Sequence, residues 1–259
     1  MRITKHITFF YLENRIIYIN RIIDETNKYE YTTDIYIHTN NKDLEESIFN
    51  KYTNGFIKII YHDLSDIDPH YLAWKCRDLL QKQKNEYDIF MYIEDDILVP
   101  YKAIKYWLEY NEKLIEINYN VGFVRIEVEN NIEYITDVTE KLDTINLHES
   151  IYCVNNKNPY CAFWIYNKNE FNKFLNSDYY NINNIACYYT REQSAIGLHG
   201  LCTPWYKNTL IPIINNKLIE ACKIYHMPNN YVCNKDTSFA TIKFDEAVNL
   251  LENDQSILS

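Results

Sequence analysis

Glu94, Asp95 and Asp96 stand side by side at the end of an apolar run, Ile89 to Ile93. Three adjacent carboxylates repel one another unless a cation or ordered water holds them. Two readings fit the trio. One is an acidic turn favoured by the helix that Pro100 opens; the other is a divalent metal site. In an extended segment Glu94 and Asp96 share a face and Asp95 takes the opposite one, whereas in a turn all three converge. Oxygen ligands suit magnesium or manganese better than zinc, and few protein ligands leave positions for phosphate and water. His226 follows a strand-like segment and precedes Met227-Pro228-Asn229-Asn230, so it reads as a loop residue. It is either a hydrogen-bonded structural imidazole or, if it meets the acids, a nitrogen ligand that favours manganese. Glu192, in Arg191-Glu192-Gln193-Ser194, is a first-turn acid of a short helix or a general base for an attacking hydroxyl. Trp74, Lys75 and Arg77 crowd the segment before the acidic strand, either as amphipathic packing or with Lys75 or Arg77 neutralising phosphate. Trp164, Trp205 and Tyr206 are core aromatics or stacking platforms.

The elements that carry these groups alternate. Ile3 to Leu12 reads as a strand, Glu13 to Lys28 as a helix, Asp34 to Thr39 as a strand, and Lys42 to Tyr52 as a helix stopped by Asn54-Gly55. Phe56 to Tyr61 is a third strand, Pro69 to Gln83 a helix, and Asp88 to Ile93 the strand that delivers the acids. This βαβ alternation predicts parallel pairing in a sheet covered on both faces, whose carboxyl edge is where ligands sit. After a helix over Tyr101 to Glu116 the winding changes. Val121 to Val128 and Ile132 to Ile135 form a hairpin through Asn130-Asn131. Ile151 to Val154, Cys161 to Tyr166, Leu210 to Ile214 and Cys222 to Tyr225 are further strands, Glu170 to Leu175 a helix, Asp178 to Asn184 a polar loop, and Arg191 to Leu198 one or two helical turns.

Composition narrows the functions. A chain of 259 residues with 47% hydrophobic and 24% charged content buries a full core. Its formal net charge of -10 disfavours general nucleic-acid binding. With only four glycines no phosphate loop or dinucleotide fingerprint is available. Seven cysteines without a CxxC pair fit a reducing, cytoplasmic compartment, as does the lack of an Asn-x-Ser/Thr acceptor. No run is long and apolar enough for a membrane span and no signal peptide is visible. The frequent Tyr, Asn, Ile and Lys resemble the coding bias of an AT-rich genome, such as that of a parasite or large virus.

Four segments in order, Tyr71-Leu72-Ala73-Trp74-Lys75, Tyr92-Ile93-Glu94-Asp95-Asp96, Arg191-Glu192-Gln193-Ser194-Ala195 and His226-Met227-Pro228-Asn229-Asn230-Tyr231, resemble a little-characterised group of GT-A-like proteins. The acidic motif itself resembles the DxD motif of GT-A glycosyltransferases. The resemblance spans roughly His70 to Tyr231. It implies an α/β fold, a GT-A-like single domain over 1–259, with a Rossmann-like βαβ half, a mixed central sheet and helices on both faces. Residues 1–100 would form the nucleotide-sugar-binding half, 101–235 the acceptor-binding half, and 236–259 a C-terminal tail or helix. The implied activity is metal-dependent transfer from a nucleotide-sugar donor, a UDP-sugar foremost, to a glycan, protein or small-molecule acceptor, with Mn2+ or Mg2+ on the diphosphate. Carried over, Glu94, Asp96 and His226 are metal ligands and Asp95 contacts metal or ribose. Glu192 is the base of inverting members, and beside the resemblance Trp74, Lys75 and Arg77 join Asp95 as candidate cofactor-binding residues. One departure is Glu94 where the motif has aspartate, which leaves Asp95 and Asp96 as an alternative ligand pair. The residues that select base and sugar have no clear match. An inactive GT-A-like carbohydrate- or protein-binding module is the non-enzyme rival. A metal-dependent nuclease or nucleotidyltransferase needs a two-metal cluster and a basic path, against which the net charge argues.

Overall fold

The computed structural model describes residues 1–147, 150–184, 191–192, 194, 208–232, 234 and 236–249. The N-terminal part runs β1 (Arg2–Phe9), α1 (Ile16–Thr26), β2 (Thr32–Thr39), β3 (Ile57–Tyr61), α2 (Arg77–Lys82), β4 (Ile89–Glu94) and β5 (Ile97–Leu98). Next come α3 (Tyr101–Glu116), β6 (Asn120–Val121), β7 (Val124–Glu129), β8 (Ile132–Ile135), β9 (Asp143–Leu147), β10 (Ser150–Val154), β11 (Phe163–Asn167) and α4 (Lys168–Leu175). The chain continues through β12 (Thr209–Ile214), β13 (Lys217–Leu218), β14 (Lys223–His226) and β15 (Ile242–Lys243).

The architecture is mixed α/β. The first sheet has the order β11-β4-β1-β2-β3, with β1 to β4 mutually parallel where they pair and β11 antiparallel to β4. Strand β4 is buried along its whole length, as its apolar run requires. A second sheet, β13-β12-β10-β9 with β6 against β12, and a third, β15-β8-β7-β14-β5, complete the fold. The β7–β8 hairpin turns at Asn130 and Asn131, both at positive φ (52° and 64°), the conformation an asparagine pair supplies in tight hairpins. One hydrophobic cluster takes in residues from all three sheets.

Among the described residues helices are fewer than the periodicity predicts. Over Lys42 to Tyr52 the structure has only a 3-10 turn at Glu46–Ile48, where Leu44 and Phe49 are the only buried anchors. Pro69 to Gln83 divides into a 3-10 segment, Pro69–Trp74, and the short α2. Strand β9 escapes the sequence reading, and the polar stretch from Asp178 contains two 3-10 turns. Over 236–249 the chain forms β15 and a 3-10 turn, Phe244–Glu246, in place of a helix; the expected tail beyond residue 249 lies outside the described residues. Among the described residues no helix is long and apolar enough to cross a membrane. Cys76, Cys153, Cys161 and Cys222 are buried free thiols, and Cys187, Cys202 and Cys233 lie outside the described residues.

Lys5 and three histidines of the first sheet have polar partners. Lys5 Nζ donates to Thr26 Oγ1 (2.6 Å) and Tyr29 Oη (3.1 Å). Burial pushes its pKa down to about 7. Across the strands, His6, His38 and His62 form a ladder with Nδ1···Nε2 distances of 2.8 Å at both steps. Its inner end is Gln83 Oε1, 3.0 Å from His6 Nε2. A carbonyl oxygen only accepts, so His6 Nε2 carries the proton, and His6 and His38 accept at Nδ1 from Nε2 of His38 and His62 respectively. Burial holds His6 down to about 3 and His38 well below the usual imidazole value, so the ladder is neutral at neutral pH.

Candidate functional site

Backbone pairing fixes the acids. Glu94 is the last residue of β4 and lies opposite Thr8 of β1. Its N–H donates to Ala162 O (3.0 Å), and the Asp95 N–H donates to Thr8 O (3.1 Å). From β1 the chain passes through α1 to β2 on one side, whereas β4 lies on the other side of β1, so the acids occupy a topological switch point at a carboxyl edge. The next two residues, Asp95 and Asp96, turn into β5, whose Ile97 pairs with His226 of β14. The Met227 N–H closes this junction on Asp96 O (2.9 Å). His226 is therefore a strand residue, a correction to its reading as a loop residue, and the antiparallel register is what brings it beside Asp96.

His226 Nε2 lies 3.6 Å from Asp96 Oδ2, and Nδ1 lies 2.5 Å from Glu127 Oε1. Glu127, on β7 and fully buried, also accepts through Oε2 from the N–H groups of Tyr231 (2.9 Å) and Val232 (2.7 Å). Two cationic side chains face the acids. Arg15 Nε is 3.2 Å from Asp95 Oδ2, and its Nη2 contacts Asp96 Oδ2. Arg191 bridges Glu94 (3.6 Å) and Glu192 (3.8 Å). Tyr160 Oη donates to Glu94 Oε1 at 3.0 Å. Behind this layer Arg125 forms a buried pair with Asp137 (2.6 Å), its guanidinium 5.2 Å from the Tyr160 ring centre.

Burial dominates the electrostatics. It raises Glu94 to about 7, against the Arg191 charge and with help from Asp96. It also raises Asp95 well above the carboxylate range, reinforced by Asp96. Asp96 feels the same burial, yet the His226 contact and the Arg15 charge outweigh it and its pKa falls. Burial lowers His226, but Asp96 and Glu127 overcome that and raise it. Four buried carboxylates thus share two guanidinium groups and one imidazole. Asp95 is 5% exposed and its Oδ2 makes no hydrogen bond, although Arg15 Nε lies within ion-pair distance. It faces a cavity of about 320 Å³ lined by Thr8, Phe10, Arg15, Leu72, Glu94 and Arg191, among others.

The donor set suits a hard or borderline divalent ion. Asp96 Oδ2 and His226 Nε2 face each other, and the Glu127 contact at Nδ1 is the second partner that orients a ligating imidazole. As placed, no group of three or more His, Cys, Asp or Glu side chains among the described residues could hold a metal ion. Arg15, set against Asp95 and Asp96, occupies the approach to that carboxylate pair.

The structure brings Glu94, Asp95, Asp96 and His226 together and joins Glu192 to them through Arg191. Trp74, Lys75 and Arg77 are placed elsewhere. Lys75 is exposed, and Trp74 is buried under the Arg77 guanidinium at 3.9 Å. Arg77 donates to the carbonyls of Tyr179 (2.8 Å), Tyr180 (2.6 Å) and Ser194 (3.3 Å), so it anchors the segment that carries Arg191 and Glu192. The cavity is lined from that stretch by Pro69, His70, Leu72 and Ala73. Trp164 is a core residue, 1% exposed; Trp205 and Tyr206 lie outside the described residues. Sequence reasoning missed Arg15, Glu127 and Tyr160. Only Glu127 leaves a trace, a carboxylate within the strand-like Val124-Arg125-Ile126-Glu127-Val128. No protein-family model matches the chain, and no curated protein matches it at a significant level.

Proposed function

We propose that the protein is a metal-dependent glycosyltransferase of GT-A-like fold that moves a sugar from a nucleoside-diphosphate sugar to an acceptor hydroxyl. The observation that carries this reading is the convergence of Glu94, Asp95, Asp96 and His226 at the switch point, beside a cavity that Arg15 and Arg191 also line. Asp96 Oδ2 and His226 Nε2 are the facing donors for Mn2+ or Mg2+, with Asp95 and Glu94 the adjacent carboxylates. A bound ion supplies positive charge against the departing diphosphate. Arg15 and Arg191 present guanidinium donors to phosphate oxygens in the same cavity. Glu192, held by Arg191 and half-buried, takes the acceptor proton and so favours inversion.

The test is thermal and urea stability against nucleoside diphosphates and UDP-sugars, with Mn2+, Mg2+ or chelator. A ligand at one hundred times its dissociation constant adds about 2.7 kcal/mol. The expected result is a metal-dependent gain that Asp96→Asn abolishes while the fold is retained. A gain that survives both chelation and Asp96→Asn overturns the metal role. A second reading has one observation in its favour: the acids already have arginine partners. In that reading the chain is a carbohydrate- or protein-binding module without turnover, and sugar transfer or donor hydrolysis by the purified protein refutes it.

A further inference from the structure

Arg15 is the residue that the proposed function leaves in an awkward position. It ends a 3-10 turn, Glu13–Arg15, between β1 and α1, and its own N–H is fixed on Leu12 O at 2.9 Å. Its side chain spans both aspartates, Nε toward Asp95 Oδ2 and Nη2 on Asp96 Oδ2. The same Asp96 Oδ2 is the oxygen that faces His226 Nε2. A cation that takes Asp96 Oδ2 and His226 Nε2 therefore meets Arg15 already in contact with its oxygen. The guanidinium fork matches two carboxylates in geometry but carries half the charge of a divalent ion and reaches no other acid of the cluster. The Arg15 side chain is 23% exposed and lines the cavity beside Arg191, so open volume lies next to it.

We propose that Arg15 is an internal counter-ion: it holds Asp95 and Asp96 in the metal-free protein, competes with the divalent ion for them, and on displacement turns to the diphosphate of the donor. Cation and anion binding then reinforce each other. The ion frees the arginine that the anion needs, and the anion gives the displaced arginine a new partner. By linkage, each ligand tightens the other by the same factor. This inference rests on the metal-dependent reading above and adds an order of binding to it.

The experiment uses the full chain, with Mn2+ alone and then Mn2+ with inorganic diphosphate as probes, followed by calorimetry and by electron paramagnetic resonance of free Mn2+. Arg15→Gln removes the competing charge. Its expected effect is tighter binding of Mn2+ alone, by about tenfold, with loss of the mutual tightening between Mn2+ and diphosphate. Arg15→Lys keeps the charge without the fork and should fall between the two proteins. Circular dichroism and a urea transition on each variant establish that it is folded. Mn2+ affinity that is unchanged or weaker in folded Arg15→Gln overturns the competition while leaving the metal site standing. Absence of Mn2+ binding in both wild type and Arg15→Gln overturns this inference and the metal-dependent reading together.

Discussion

Replacing His6 by glutamine tests the neutral histidine ladder through the pH dependence of folding. The glutamine amide keeps a donor near the position of Nε2 and removes the only titrating group at the inner end of the ladder. In the folded protein His6 takes a proton only near pH 3, whereas in the unfolded chain it does so near 6.5. As pH falls through 6.5 the unfolded state binds a proton that the folded state refuses. The His6 contribution to stability is thus intact above that value and is lost between about 6.5 and 3. At pH 5 the gap is one and a half units, or about 2 kcal/mol, a sizeable part of the 5–15 kcal/mol that holds a typical domain. Raised groups run the other way: Glu94, at about 7, and His226 favour the folded state as pH falls. These groups are common to both proteins and cancel in the difference. Urea unfolding at pH 7.5 and pH 5 is the assay. Wild type should lose about 2 kcal/mol more than His6→Gln over this interval, whatever the cost of the substitution at neutral pH. Parallel losses, equal within about 0.5 kcal/mol, would refute a neutral buried ladder.

Two substitutions separate scaffold from site. Arg77→Ala removes the donors to Tyr179, Tyr180 and Ser194 and the stack on Trp74, and should cost about 2–4 kcal/mol in urea unfolding. Diphosphate affinity at saturating Mn2+ should change less than in Arg15→Gln; a larger loss would put Arg77 on the donor. Gly55→Ala places a Cβ 2.3 Å from Thr33 O at a φ of +147°, so unfolding should become easier by about 2–3 kcal/mol or more. A neutral outcome would mean that the turn before β3 has another accessible path.

Strand β4 is legible because a strand buried on both faces writes itself as a short apolar run, β2 by the alternation of Ile35 and Ile37, and the Asn130-Asn131 hairpin because its turn demands residues that tolerate positive φ. Over Lys42 to Tyr52 and Pro69 to Gln83 the pattern points to longer helices than the chain forms, because spacing that suits a helix also suits 3-10 turns pinned by a few anchors. In the site, Glu94, Asp95 and Asp96 announce themselves by adjacency. Glu127, Arg15 and Tyr160 do not, because each reaches the acids through tertiary pairing between segments far apart in sequence. The placement of His226 depends on a strand register that no local pattern encodes. The ladder was likewise invisible, since His6, His38 and His62 become neighbours only when β1, β2 and β3 align.

The position of β14 has a consequence for how the chain comes off the ribosome. This strand is interior, lying between β7 and β5, yet it is made after both. While synthesis proceeds, the edge of β7 stays open and Asp96 lacks His226, so the nascent chain carries an unpaired strand edge and an under-compensated acidic cluster for the time it takes to reach residue 226. A chain released early would keep the parallel strands and their acids but present an open strand edge in place of the completed acid–histidine cluster. Insertion of a late strand thus closes the β7 edge and completes the candidate site in the same event.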